Sequence, residues 1–183
     1  MQRSKSTKEI NSIRLSVDTK LLFIVLLAAL VVFIIPIFFR SVYLDGNAIG
    51  SESYLNIRLA RTIIDERGIP GYDYLSYGGR NFNYNIGLPI ILSLLYFVSP
   101  GNIHILSMLL SIFFALVALI MLYLILHKSK FSKSQMILII FILILSPAFI
   151  YFSNISSPII ATIALALVSF YLMNSNNKIN KII

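Results

Sequence analysis

Apolar residues in this chain fall into long unbroken blocks, unlike the alternation of a strand or the one-sided stripe of a soluble helix. Leu21–Phe39 is the first block, and its length is close to the ~20 residues a helix needs to cross a bilayer. Ile103–Leu126, Met136–Phe152 and Ser157–Met173 follow. A fifth block, Ile86–Val98, is shorter and carries Gly87 and Pro89. As a helix it reaches about 20 Å, against a hydrocarbon core of about 30 Å. The pattern predicts an all-α integral membrane protein with four transmembrane helices and one short re-entrant or interfacial helix.

The period changes once, in SESYLNIRLARTIIDERGIP, residues 51–70. Leu55, Leu59 and Ile63 recur every four residues, and Ala60 and Ile64 widen the stripe. That spacing predicts an amphipathic helix over 51–67 with its apolar stripe on the membrane surface or the bundle. Ser51 is the expected N-cap and Glu52 sits in the first turn. Gly68 is the expected left-handed C-cap position, Ile69 its hydrophobic contact and Pro70 the stop. Beyond it, the Tyr-, Gly- and Asn-rich GYDYLSYGGRNFNYN suits an ordered binding loop.

Charge orients these elements. Of the whole chain 58% is hydrophobic, only 12% is charged, and the net charge is +8. A soluble domain carries about 25% charged residues, so much of this surface must meet lipid. Arg3, Lys5, Lys8, Arg14 and Lys20 precede the first block; Lys128, Lys130 and Lys133 separate two later ones; Lys178 and Lys181 lie near the C-terminus. Placed as cytoplasmic anchors they satisfy the positive-inside rule, provided that 86–98 does not span. The distribution argues against a nucleic-acid surface. It implies a multi-pass protein of the cell membrane with its N-terminus in the cytoplasm and Leu21–Phe39 as a retained signal anchor. Residues 1–20 then form a basic tail, 127–135 a cytoplasmic loop and 174–183 a cytoplasmic tail. Arg40–Asn102 and 153–156 become external loops. Pro36 is expected to kink the last turn of the first span.

The long external loop holds the candidate chemistry. It contains five arginines, five acids and no lysine, and no carboxylate follows Asp73. Without cysteine, and with only His104 and His127, disulfides and histidine metal clusters are excluded. Glu52 can bind a divalent cation or accept a proton, and the Arg58 guanidinium can hold phosphate oxygens with a planar fork. Six positions separate them, about 120° off a shared helix face. The plain alternative is a solvated helix with local ion pairs such as Arg61–Asp65. Asp73 follows a Pro-Gly turn, where it can bond backbone amides, or it contacts substrate. Gly78 and Gly79 beside Arg80 can cradle an anion or simply turn the chain. Tyr72, Tyr74, Tyr77 and Tyr84 can stack on sugars or form an interfacial belt. His104 opens a span, a place for an interfacial histidine, and Asn154-Ile155-Ser156 is a formal glycosylation sequon.

The order of these features resembles the N-terminal part of the GT-C superfamily of membrane glycosyltransferases. The nearest likeness is to archaeal-type oligosaccharyltransferase catalytic subunits and dolichyl-phosphate-sugar transferases. In that family a first span leads to an external loop with a motif similar to D-P-Y-Y-H-L-R. A helix ending in G-x-x-P, an aspartate and a G-R segment follow. Here Glu52-Ser53-Tyr54-Leu55-Asn56-Ile57-Arg58 stands in the motif's place, followed by Gly68-Ile69-Pro70, Asp73 and Gly79-Arg80. The resemblance implies sugar transfer from a polyprenyl- or dolichyl-phosphate-linked donor, with Glu52 as base or ligand to Mg or Mn. It also implies that Arg58, Tyr54, Asp73 and Arg80 face the donor. The family's further acid in the second external loop has no counterpart, because Asn154, Ser156 and Ser157 stand there. The family is also longer, which implies a short or truncated member. Two other readings are a non-catalytic accessory subunit or degenerate fragment acting with further membrane subunits, and a small transporter subunit. A transporter would be expected to carry an ionisable group within its spans, and the predicted spans hold none.

Overall fold

A computed structural model describes residues 19–43, 49–74, 78–81 and 85–176. The basic residues before Lys20, together with Asp45, Tyr77, Tyr84, Lys178 and Lys181, lie outside the described residues. The described chain folds into α1 (Thr19–Tyr43), α2 (Ser51–Glu66), β1 (Tyr72–Asp73), β2 (Arg80–Asn81), α3 (Gly87–Val98), α4 (Ile103–Lys128), α5 (Lys133–Ile144), α6 (Pro147–Asn154) and α7 (Pro158–Asn176).

Among the described residues two helices are long and apolar enough to cross a membrane, Thr19–Arg40 of α1 and Ile103–Lys128 of α4. A bent pair, α5 and α6, makes a third if counted as one span. The span expected over 136–152 is therefore not straight, because the two helices meet at 61°. Pro147 causes the break. It has no N–H to continue α5, and it holds Ser146 in an extended conformation (φ −62°, ψ 123°) that starts a new helix with proline in its first turn. α1, by contrast, runs on through Pro36 to Tyr43. α3 falls where the half-embedded helix is expected, and its twelve residues cover about 18 Å. The apolar part of α7, Pro158–Asn174, reaches about 25 Å.

α4 is the central post and touches α1, α2, α3, α5, α6 and α7. Its apolar window is 44% buried against 11% for α1, so α1 presents most of its side chains outward. One core cluster fills the bundle, with Phe33, Leu119, Tyr123, Ile140, Phe149 and Ile160 at its centre. A second gathers Ile57 and Ala60 of α2, Leu88 and Leu92 of α3, and Ile103, Met108 and Leu110 of α4. This second cluster seats α2 and α3 on the head of α4.

The segment 153–156, expected as an external loop, is covered by protein, and every residue from Ser153 to Ser157 is buried. A buried, unwound backbone must have its carbonyls and amides satisfied by protein. Three helices supply the donors. Arg40 Nη1 of α1 donates to the Asn154 carbonyl at 2.8 Å, Ser111 Oγ of α4 to that of Ile155 at 2.7 Å, and Asn56 Nδ2 of α2 to that of Ser156 at 2.5 Å. The Ser156 amide donates back to Ser53 Oγ of α2 at 2.8 Å. Arg40 also lies at the C-terminus of α6, where a cation meets the negative end of the helix dipole. The sequon at Asn154 is thus sealed in the folded chain, with Asn154 1% exposed.

Candidate functional site

α2 carries most of the candidate residues, and its phase differs from the sequence expectation. Gly50, with φ +87°, is the N-cap, and Ser51 is already helical. A side chain at position 50 would approach Tyr151 Oη, and its backbone conformation disfavours any residue but glycine. At the other end the left-handed cap is Arg67 (φ 51°), one position before Gly68. The buried face is Ser53, Asn56, Ile57, Leu59, Ala60 and Ile63, while Leu55 remains exposed. The expected stripe is rotated because Ser53 and Asn56 are drawn inward to the 154–157 backbone. Hydrogen bonding, not apolar area, sets the orientation of this end of the helix.

That rotation turns Tyr54, Arg58, Arg61 and Asp65 outward together. Their spacing of four, three and four residues keeps them on one helix face. They overlook a cavity of about 600 Å³ that Thr62 and His104 also line. A second cavity of about 450 Å³ continues it toward Tyr96, Gly101 and Asn102, sharing Arg61, Asp65 and His104. The result is one groove between α2 and the first turn of α4.

His104 reaches the groove because α4 starts there. Asn102 caps the helix, its side-chain oxygen accepting from the His104 amide at 2.9 Å. The His104 ring meets Tyr54 edge-on at 6.0 Å, and Arg61 Nη2 approaches its Nε2 at 3.4 Å. A guanidinium only donates, so Nε2 is the acceptor in that contact. The expected Arg61–Asp65 ion pair does not form. Arg61 turns toward His104 instead, and among the described residues no carboxylate pairs with it.

Arg58 is held differently. Its Nη2 lies 2.8 Å from Asp73 Oδ2, with side chains 30% and 7% exposed. Asp73 belongs to a small ribbon in which it stands opposite Arg80. Gly78 and Gly79, at φ +74° and +64°, help close that ribbon. At Gly79 a Cβ would run into the Tyr72 hydroxyl, so the ring packs directly on glycine backbone. The Arg80 side chain lies outside the described residues.

Of the residues singled out from the sequence, Arg58, Asp73 and Tyr54 thus come together at or beside the groove. Glu52 does not join them. It is exposed in the first turn of α2 and lines a separate cavity of about 190 Å³ with Asn56, Asn85, Leu88 and Pro158. The helical offset between positions 52 and 58 accounts for the separation. Sequence reasoning missed Arg61 and Asp65 as groove residues and His104 as their neighbour. The 54-58-61-65 spacing was the signal that points to them.

The residues around Glu52 fit a divalent cation poorly. Among the described residues no three His, Cys, Asp or Glu side chains are grouped to hold a metal. Glu52 is the single carboxylate of its cavity, and Asn56 already donates to Ser156. Magnesium can bind through one carboxylate when substrate phosphates complete the shell, but the arginines suited to phosphate open on the other cavity. The groove itself suits an anion at the head of an apolar helix. No family model, curated protein or solved structure matches the chain.

Proposed function

We propose that this chain is a GT-C-like membrane glycosyltransferase, or the N-terminal portion of one. In this reading it transfers a sugar from a polyprenyl- or dolichyl-phosphate-linked donor at the external face of a cell membrane. It crosses the bilayer four times, through α1, α4, the α5–α6 pair and α7, with its N-terminus in the cytoplasm. The lysine distribution along the sequence supports that orientation. One observation carries the functional reading. Arg58 and Arg61 stand on one face of α2 and open on a groove at the first turn of α4, the level where a lipid-borne phosphate lies.

The arginines hold the phosphate oxygens, with Arg61 the more accessible of the two because no carboxylate pairs with it among the described residues. Tyr54 walls the groove for a sugar ring. Transfer forms a bond from the acceptor heteroatom to the sugar C1 and breaks the C1–O bond to phosphate. The lipid phosphate keeps the electron pair and the acceptor proton passes to a carboxylate. Asp65 lies in the groove and Glu52 lies across the helix, so the two are separable as base. A divalent cation belongs to this reading only as a companion of the donor phosphate, and chelation tests it.

The experiment is transfer from a polyprenyl-phosphate-linked sugar by the purified chain in lipid nanodiscs, with donor binding measured in parallel. Arg61→Ala should abolish both, and Asp65→Asn or Glu52→Gln should abolish transfer alone, according to which is the base. Donor binding undiminished in Arg61→Ala removes the groove from the mechanism. A cysteine at Tyr74 should react with an impermeant reagent from outside the cell; reaction only from inside overturns the topology.

A second reading, a non-catalytic subunit that binds the lipid phosphate for a partner enzyme, is favoured by the distance of Glu52 from the groove. Binding without transfer by the chain alone, and transfer once a further membrane subunit is added, would select it.

A further inference from the structure

The groove contains two arginines in opposite conditions. Arg61 meets a ring nitrogen of His104, while Arg58 is paired with Asp73 in a salt bridge. The Asp73 side chain is 7% exposed and covered, whereas that of Arg58 is 30% exposed and lines the larger cavity. The guanidinium therefore remains reachable from the groove while its carboxylate partner sits behind it. Carboxylate and phosphate compete for the same planar donor fork.

We propose that Asp73 is a built-in competitor for the anion of the groove. Its carboxylate holds the Arg58 fork until a lipid-borne phosphate, engaged first by Arg61, takes it over. This rests on the reading of the groove as a phosphate site and adds how that site is regulated. The exchange breaks no covalent bond. The phosphate replaces one charge-assisted contact with another, and Asp73 is returned to water together with the ribbon that carries it. The ribbon is built to move as a unit. β1 and β2 are two residues each, paired Tyr72 to Asn81 and Asp73 to Arg80. Tyr72 packs on Gly79 within the ribbon, and Tyr74 stacks edge-on against Tyr72 at 4.8 Å. The groove thus selects for groups able to displace a carboxylate from a guanidinium. A phosphate monoester or diester qualifies and a neutral sugar does not.

The test uses farnesyl phosphate and, separately, inorganic phosphate, with the full chain in phosphatidylcholine nanodiscs. Asp73→Asn should bind farnesyl phosphate about fivefold more tightly than wild type, the size of a partly screened ion pair. In an Arg58→Ala background the same change should have no effect. A spin label on a cysteine at Tyr74 should gain mobility in the otherwise unaltered chain as farnesyl phosphate saturates it. Weaker or equal binding by Asp73→Asn overturns the proposal. If that variant fails to fold, an unchanged label spectrum at saturation overturns it instead. Tightening with inorganic phosphate as well would mean that the headgroup alone drives the exchange; tightening with farnesyl phosphate only would mean that the lipid tail must first deliver it. Should the wild-type chain bind no farnesyl phosphate, the groove reading itself falls and the competitor falls with it. Binding lost in Arg61→Ala but not improved in Asp73→Asn sinks the competitor alone.

Discussion

The two faces of α2 spend polar side chains in opposite ways. On the inner face, Ser53 and Asn56 are buried and bonded to the backbone of residue 156. On the outer face, Tyr54, Arg58, Arg61 and Asp65 line an open groove. The inner polar groups answer carbonyls and amides that have no water to turn to, so they serve the fold. The outer ones have solvent or a ligand as their alternative, so they are available for chemistry. One amphipathic helix therefore has two polar faces, and only the outer one opens on the groove.

The largest expected effect breaks the inner face. Asn56→Ala leaves the Ser156 carbonyl without the donor it has in the structure, and an unsatisfied buried acceptor costs about 1–3 kcal/mol. Arg40→Met should act similarly through the Asn154 carbonyl. Both should lower the thermal unfolding midpoint in detergent. A midpoint unchanged in both would mean that the 154–157 segment is held by apolar packing alone, and the contrast between the faces would fail.

Ribbon geometry comes next. Gly79→Ala puts a Cβ against Tyr72 at a left-handed position, at a cost of about 1–2 kcal/mol. The damage should be local, with faster proteolysis or hydrogen exchange over 71–81 and an unchanged unfolding midpoint for the bundle. If the whole bundle loses stability instead, the ribbon is part of the core and not a mobile neighbour of the groove.

On the outer face, Arg61→Ala should move the unfolding midpoint little, because exposed polar contacts contribute about 0–1 kcal/mol. The same variant should lose phosphate binding. That pairing of small stability change with large binding change is the mirror image of Asn56→Ala. A variant of Arg61 that unfolds the chain would erase the distinction.

Much of the architecture was legible because hydropathy is a sum over many residues. The apolar blocks became α1, α4 and α7, and the short block with Gly87 and Pro89 became α3. What escaped depends on single groups meeting partners far along the chain. Met136–Phe152 is apolar but for Ser146 and Tyr151, and the missing N–H of Pro147 is what divides it into two helices. The apolar stripe of α2 suggested an orientation set by Leu55, Leu59 and Ile63. Ser53 and Asn56 overrode that because the Ser156 amide needed an acceptor and its carbonyl a donor, about a hundred positions later in the chain. The same partners explain why Asn154-Ile155-Ser156 is buried although it reads as a polar loop. For the site, the Arg58–Asp73 pairing joined two residues already singled out, whereas His104 entered through the packing of the start of α4 beneath α2.

The smallest expected effect sharpens the comparison most. Glu52 stands at the boundary between the two faces, exposed, in the first turn of α2, beside a cavity that the groove does not reach. Glu52→Gln keeps the shape of the side chain and removes its charge. It loses a favourable interaction with the helix dipole and no hydrogen bond within the groove. Phosphate binding by the groove should therefore be the same as in wild type, and the unfolding midpoint should be nearly so. If binding nevertheless weakens in titrations by calorimetry, Glu52 acts on the ligand from outside the groove, and an anion at Arg61 must then extend across the helix. That outcome would join the two cavities into one site and return Glu52 to the phosphate. Unchanged binding would leave Glu52 a single possible role on the acceptor side, where loss of transfer with intact binding would show it.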